Sequence, residues 1–309
     1  MVDKVNFENL SIESNIKNFI DYIRFERQLA SNSIVSYKRD LNRYKLFLSL
    51  KKEDNYLEVS YDQILSFLEY LNENYCGSSI SRILSSSRNF YKFLVREKIV
   101  KKNPFIQIKN PKKPKKILEV LSEDEVKRFL NGIPYSTELE IRDRAMFELL
   151  YSSGLRVSEI VNLKISNIDF DEGLIRFIGK GKKERITPVG ETSKLFLKKY
   201  LNIARFKIEK EIKSDYVFLN KNGKKLTRQG FWKILKKYDK KINLGKNLYP
   251  HIFRHSFATH MIERGADIRV VQELLGHSDI STTEIYTNLN RKYIKDIYFK
   301  YHPREKDSS

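Results

Sequence analysis

Through the first hundred positions, apolar side chains recur every three or four residues, the period of a helix that buries one face. After a Ser-Asn-Ser start at Ser31 to Ser33 come Ile34, Tyr37, Leu41, Tyr44 and Phe47; later come Ile80, Ile83, Leu84, Phe90, Tyr91 and Leu94. With similar segments near 12–29 and 60–72, this predicts a compact four-helix unit whose aromatic stripes are core and not stacking platforms. The period stops at Lys101 to Lys116, which holds seven lysines, three prolines (Pro104, Pro111, Pro114) and no acid. Proline removes a backbone donor and clashes with the preceding turn, so this stretch reads as an extended basic linker.

Beyond it the pattern is mixed. Leu121-Ser122-Glu123-Asp124-Glu125 opens a helix with a serine cap and acids in the first turn, and a second helix over about 138–152 ends at Gly154. Leu174 to Phe177 alternates, turns at Gly179-Lys180-Gly181 and resumes from Ile186 to Val189, which predicts a β-hairpin. The rest reads as helix punctuated by Gly245, Gly265 and Gly276, without internal repeats. The expected fold class is mainly α with a small β-sheet: a helical domain over 1–110, a basic linker over 111–119 and an α+β domain over 120–309.

Composition narrows the setting. The 309 residues carry 59 Lys and Arg against 39 Asp and Glu, a formal net charge of +20. Residues 1–110 hold 18 basic and 13 acidic side chains, and the remainder 41 and 26, so the field belongs mostly to the C-terminal part. Such an excess attracts polyanions by counterion release and points to nucleic acid, although a lysine-rich solvated surface would share it. A single cysteine, Cys76, excludes an internal disulfide framework. The first thirty residues show no apolar secretory core, and no stretch has the roughly 18 apolar residues of a membrane span. The expectation is a cytoplasmic protein.

Four of the five histidines fall between His251 and His277, among them His251, His255 and His260. His251 and His255 are four apart. However, no Glu follows the first His, no Cys is near, and Arg254 would set a guanidinium beside any cation, so no metal site is expected. Arg among histidines at a helix start suits an anion, with backbone donors, helix dipole and side-chain donors converging. His255 and His260, further along, read as structural. Arg156, just after Gly154, presents a planar fork suited to two phosphate oxygens, with Glu159 one turn on to orient it. By itself this is also a routine surface pair. Lys180 stands at a glycine-flanked hairpin tip that lacks the Walker A spacing. Ser281 and Glu284 fit a capping box that would put Tyr286 on a short helix. Together two Arg, two His, a Lys and a Tyr match what metal-free phosphoryl transfer at a phosphodiester requires.

In this order, Gly-Leu-Arg-Val-Ser-Glu, Ile-Gly-Lys-Gly-Lys-Lys-Glu-Arg, His-Ile-Phe-Arg-His and Leu-Gly-His-Ser-Asp-Ile-Ser-Thr-Thr-Glu-Ile-Tyr-Thr resemble the tyrosine recombinase/integrase family, and within it the bacterial Xer branch. The similarity spans nearly the whole chain. It implies that the N-terminal helices are a DNA-clamping core-binding domain and that 120–309 is the catalytic domain. It also implies that Arg156 and Arg254 bind the scissile phosphate and that Lys180 protonates the leaving 5′ oxygen. His251 and His277 would hydrogen-bond the phosphate, with His251 as candidate base, and Tyr286 would form a 3′-phosphotyrosyl link. Glu159 and His255 support the site. No ATP, metal or other cofactor is implied.

For DNA contacts, Lys112, Lys113, Lys115 and Lys116 of the linker are candidates. So are Arg228, Gln229 and Lys233, in a segment from Lys221 to Lys241 with nine basic residues and one acid. The resemblance places the helix opening near Thr227 in a major groove, where contact with bases or with phosphates alone fits equally. The implied partner is duplex DNA with a specific recombination site. The implied assembly is a homo-oligomer (dimer on a site, tetramer in synapsis) or a hetero-tetramer with a second recombinase, with a DNA translocase as activator. A C-terminal segment, Arg291 to Tyr301, would pack into a neighbour through Ile294, Ile297 and Tyr298. The implied role is chromosome or plasmid dimer resolution at the nucleoid. The alternatives are a mobile-element integrase on the same scaffold and, from another class, a non-catalytic DNA-binding protein; a type IB topoisomerase fits the N-terminal half poorly.

Overall fold

A computed structural model describes residues 11–51, 55–111, 119–178, 184–210, 213–276 and 288–304. The chain divides into two compact units, with the division falling between residues 116 and 117.

The first unit is built from α1 (Ile12–Phe25), α2 (Ser31–Lys51), α3 (Tyr61–Asn74) and α4 (Gly77–Arg96). Ser11 caps α1, and Ser60 with Gln63 forms a full capping box on α3, so the serines that punctuate the sequence are helix starts. The aromatic stripes are core as the spacing predicts: Phe19, Tyr44, Phe47, Phe67, Phe90 and Tyr91 are all buried. Tyr44 and Tyr91 join hydroxyls at 2.9 Å, and Tyr91 donates onward to the Tyr56 carbonyl at 2.7 Å, so the buried phenols are satisfied. Asp40, fully buried on α2, is held by Arg82 and by the Ser86 hydroxyl at 3.0 Å.

The stretch after α4 corrects the expected linker in part. Residues 104–107 form a turn, and Phe105 is fully buried in the first unit's core. Arg88 donates to the Ile108 carbonyl at 2.8 Å and Asn103 accepts from the Phe105 amide at 3.0 Å. The prolines do exclude helix, but one apolar side chain is enough to dock the strand of chain that carries it. Lys112, Lys113, Lys115 and Lys116 lie outside the described residues.

In the second unit, α6 (Glu138–Ser153) is the axis. From Ile141 to Ser153 every residue is buried, because α5 (Glu123–Asn131), α8 (Glu191–Lys199), α9 (Arg205–Glu209) and α11 (Pro250–Glu263) pack around it. Its charges are therefore paired internally: Arg142 with Asp143 at 2.6 Å, and Arg144 with Glu148 at 2.8 Å. Short α7 (Val157–Asn162) follows α6, and α10 (Arg228–Ile242) and α12 (Ile268–Leu275) flank the same core. The sheet has antiparallel order β1 (Ile168–Asp169), β2 (Leu174–Ile178), β3 (Glu184–Pro188), with Leu174 opposite Pro188 and Phe177 opposite Arg185. The predicted pair of strands is present; β1, two residues long, was not in the pattern.

The last helix is α13 (Asn288–Tyr301). Tyr298 is fully buried in this chain's own second core, and Ile294 and Ile297 pack against it. His302 stacks on Tyr298 at 4.8 Å, and Arg304 pairs with Glu148 at 2.6 Å. Within a single chain the segment thus covers this chain's own core.

Candidate active site

Gly154 ends α6 in the left-handed region at φ 56°, and a β-carbon there would lie 2.6 Å from the Phe257 ring. Only glycine meets both demands. The reversed chain then delivers Arg156 to the start of α7, where its amide donates to Glu159 Oε2 at 2.7 Å and its guanidinium Nη1 to Oε1 at 3.0 Å. Glu159 therefore both caps α7 and orients Arg156, as the spacing suggests.

Arg254 comes from α11, one helical turn after His251. Pro250 opens that helix, with its fixed φ suited to the first turn. Arg254 is buried, donating from Nη1 to the Gly154 carbonyl at 2.6 Å and from Nη2 to the Leu275 carbonyl. Arg156 reaches the next carbonyl, Gly276, at 3.4 Å. A third guanidinium, Arg185 of β3, takes the preceding one: its Nε donates to the Leu274 carbonyl at 3.0 Å and its Nη1 to Glu159 Oε1 at 2.9 Å.

Three arginines from three elements thus converge on consecutive carbonyls at the C-terminal end of α12. Those carbonyls lack helical partners and carry the negative end of the helix dipole, so they hold cations where a single carboxylate could not. Burial and the neighbouring Arg156 and Arg185 push the Arg254 guanidinium down to about 9. Arg185 is lowered by burial too, against the pull of Glu159. The cluster is electropositive, three guanidiniums sharing the one carboxylate of Glu159.

His251 is exposed in the first turn of α11. Burial of part of its ring, then Arg254, Arg156 and Arg228, hold it below the usual imidazole range, so at neutral pH it is a proton acceptor. Arg228 stands at the exposed start of α10 and extends the positive field toward the same place. His255 is half-buried with its ring centroid 6.4 Å from that of His251. His260 is buried and its Nδ1 bonds the Tyr151 hydroxyl at 2.8 Å, the structural role expected of it. Among the described residues, no group of three or more His, Cys, Asp or Glu could hold a metal ion.

Two family models match this sequence. The phage integrase family covers residues 119–292, and the phage integrase N-terminal SAM-like domain covers 16–98. The chain belongs to the phage integrase family. Among its relatives are tyrosine recombinase XerD of Oceanobacillus iheyensis, 45% identical over 95% of this chain and 99% of that one, and XerD of Listeria monocytogenes, 44% identical over 94% and 98%. This integrase is accordingly a tyrosine recombinase. Its fold is also that of XerH site-specific recombinase in a post-cleavage complex with palindromic difH substrate (TM-score 0.69, 21% identity, 95% of this chain and 82% of that). It is likewise that of the Tn1549 transposon integrase with circular intermediate DNA (TM-score 0.66, 18% identity, 91% and 98%).

Of the residues that the sequence singles out in this integrase, Arg156, Glu159, His251, His255 and Arg254 lie together. Arg228, Gln229 and Lys233 are exposed along the first turns of α10. Lys180, His277 and Tyr286 lie outside the described residues, as do Ser281 and Glu284. Arg185 was not singled out. Its signal is faint: it sits opposite Phe177 in the strand pair, where the alternation alone makes it look like an ordinary sheet cation.

Proposed function

We propose that this integrase is a site-specific DNA recombinase of Xer type, acting on duplex DNA at a defined recombination site to resolve chromosome or plasmid dimers. The observation that carries the proposal is the convergence of Arg156 and Arg254 on the end of α12, where two guanidiniums with few anionic partners await a phosphate. Relatives at 40–45% identity over nearly the whole chain bear the name XerD, which favours this role over that of a mobile-element integrase.

In the proposed chemistry, Arg156 and Arg254 donate to the non-bridging oxygens of one phosphate and stabilise the charge that gathers there. The Tyr286 phenol oxygen attacks phosphorus while His251, kept neutral by its surroundings, takes the phenol proton. The bond to the 5′ oxygen breaks, and Lys180 supplies that oxygen with a proton. His277, directly after the Gly276 carbonyl that Arg156 reaches, donates to the phosphate. The 3′-phosphotyrosyl link conserves the bond energy, so a 5′ hydroxyl rejoins the strand by the reverse path without ATP.

The exposed start of α10, with Arg228, Gln229 and Lys233, is the proposed major-groove contact, and Lys112, Lys113, Lys115 and Lys116 the proposed backbone contacts. The proposed domains are 1–110 and 120–309, working at the nucleoid of the cytoplasm; among the described residues no helix is long and apolar enough to cross a membrane. We propose dimers on each site and tetramers in synapsis, alone or with a second recombinase, with a translocase as activator. Trapping on a nicked suicide duplex tests the reading: a denaturant-resistant protein–DNA adduct is expected, and its absence on the cognate site with required partners present contradicts it.

A further inference from the structure

Glu159 Oε1 accepts from two guanidiniums, Arg156 Nη1 at 3.0 Å and Arg185 Nη1 at 2.9 Å. Arg185 is well buried, with a side-chain exposure of 14%, while Arg156 is 39% exposed. The Arg185 guanidinium spends Nε and Nη2 on the Leu274 carbonyl and Nη1 on Glu159, so each of its three nitrogens donates to protein. Gly276 allows this approach, since a β-carbon there would lie 2.8 Å from Arg185 Cδ. Arg185 is therefore walled in by the α12 terminus and by Glu159, and does not present a free fork to solvent as Arg156 does.

We propose that Arg185 is a positioning residue that takes a share of the Glu159 carboxylate and so keeps Arg156 net positive toward the reacting phosphate. A carboxylate alone with Arg156 would form a neutral pair and weaken its pull on an anion. With a second cation on the same oxygen, the trio carries a net positive charge, and the carboxylate still fixes Arg156 through its amide at 2.7 Å. The α12 carbonyl anchors Arg185 without adding a full negative charge, so the arrangement orients Arg156 without quenching it. The inference rests on the reading of Arg156 as a phosphate ligand.

The test is single-turnover adduct formation by the full chain at saturating DNA, comparing an ordinary duplex with one carrying a methylphosphonate at the cleaved position. The methyl group removes the charge that Arg156 would neutralise. Arg185→Met is expected to bind DNA normally and to cleave the phosphate about tenfold slower, the order of a weakened oxyanion donor, with most of that deficit vanishing on methylphosphonate. An equal deficit on both substrates would overturn the proposal, because loss of packing does not depend on substrate charge. Arg185→Lys, which keeps the charge, should stay close to wild type on phosphate; if it is itself about tenfold slower than wild type on phosphate, charge sharing is wrong, and this holds even if the methionine variant does not fold. Arg156→Ala is measured alongside. Should its own deficit persist on methylphosphonate, the reading of Arg156 fails, and not the role of Arg185 alone.

Discussion

The Phe257 ring occupies the space that a side chain on Gly154 would need, with only 2.6 Å between its Cδ1 and the position of a β-carbon. Gly154 also has a positive φ of 56° and its carbonyl accepts from Arg254. One residue therefore ends α6, seats Phe257 and anchors an arginine.

Gly154→Ala is expected to cost about 2–4 kcal/mol, combining left-handed strain with overpacking. It should also displace both Arg156 and Arg254, so that a lower melting temperature comes with slower adduct formation. Unchanged melting would mean that the turn relaxes freely.

The proposed base His251 can take a proton only when neutral, and burial together with Arg254, Arg156 and Arg228 lowers its pKa from the ordinary 6.5. Cleavage should therefore hold steady through neutral pH and fall only as pH drops below that ordinary value. Arg228→Ala removes one of the charges that depress it and should move the acid limb upward. A pH–rate profile of single-turnover cleavage reads the shift, and an acid limb that ignores Arg228 would separate the two residues.

Lys180→Ala is expected to slow cleavage by about 10²–10⁴, the range of a lost general acid. A duplex with sulfur in place of the 5′ bridging oxygen needs no proton on its leaving group and should restore most of the rate. If sulfur brings no recovery, the lysine serves another step.

His302 lies fully buried against Tyr298, Tyr151 and Phe257, and burial first, then Arg304, hold its imidazole down at about 3. The unfolded chain takes up a proton near 6.5 and the folded chain does not, so this group's contribution is complete above 6.5 and declines as pH falls toward 3. His302→Phe keeps the ring stack and removes the titration. Its melting temperature should drop less between pH 7 and pH 5 than that of the wild type; parallel curves would show that other groups set the acid sensitivity.

The helices of the first unit and the strand pair of the second were legible because each repeats its apolar period over several turns or residues. Caps were legible for the same local reason: Ser122 with Glu125 and Gly154 announce helix ends within four residues of sequence. Arg185 was not, since its partners Glu159 and Leu274 are 26 and 89 positions away and nothing in Glu-Arg-Ile-Thr-Pro points to them. Phe105 was hidden in a run of lysines and prolines whose composition outweighed one aromatic. The C-terminal segment shows the same limit. An apolar stripe at Ile294, Ile297 and Tyr298 states that something will cover it, but not that His302 and Arg304 beyond it reach back to Tyr151 and Glu148 of distant α6.

In the proposed reaction a phenol joins the arginine cluster to carry the DNA strand. Peptide mapping of the adduct trapped on a nicked suicide duplex tests it most directly. The expected product is a DNA 3′ phosphate attached to Tyr286, and Tyr286→Phe is expected to bind the duplex but yield no adduct. Attachment at another residue, attachment through a 5′ phosphate, or an adduct that survives in Tyr286→Phe would contradict it.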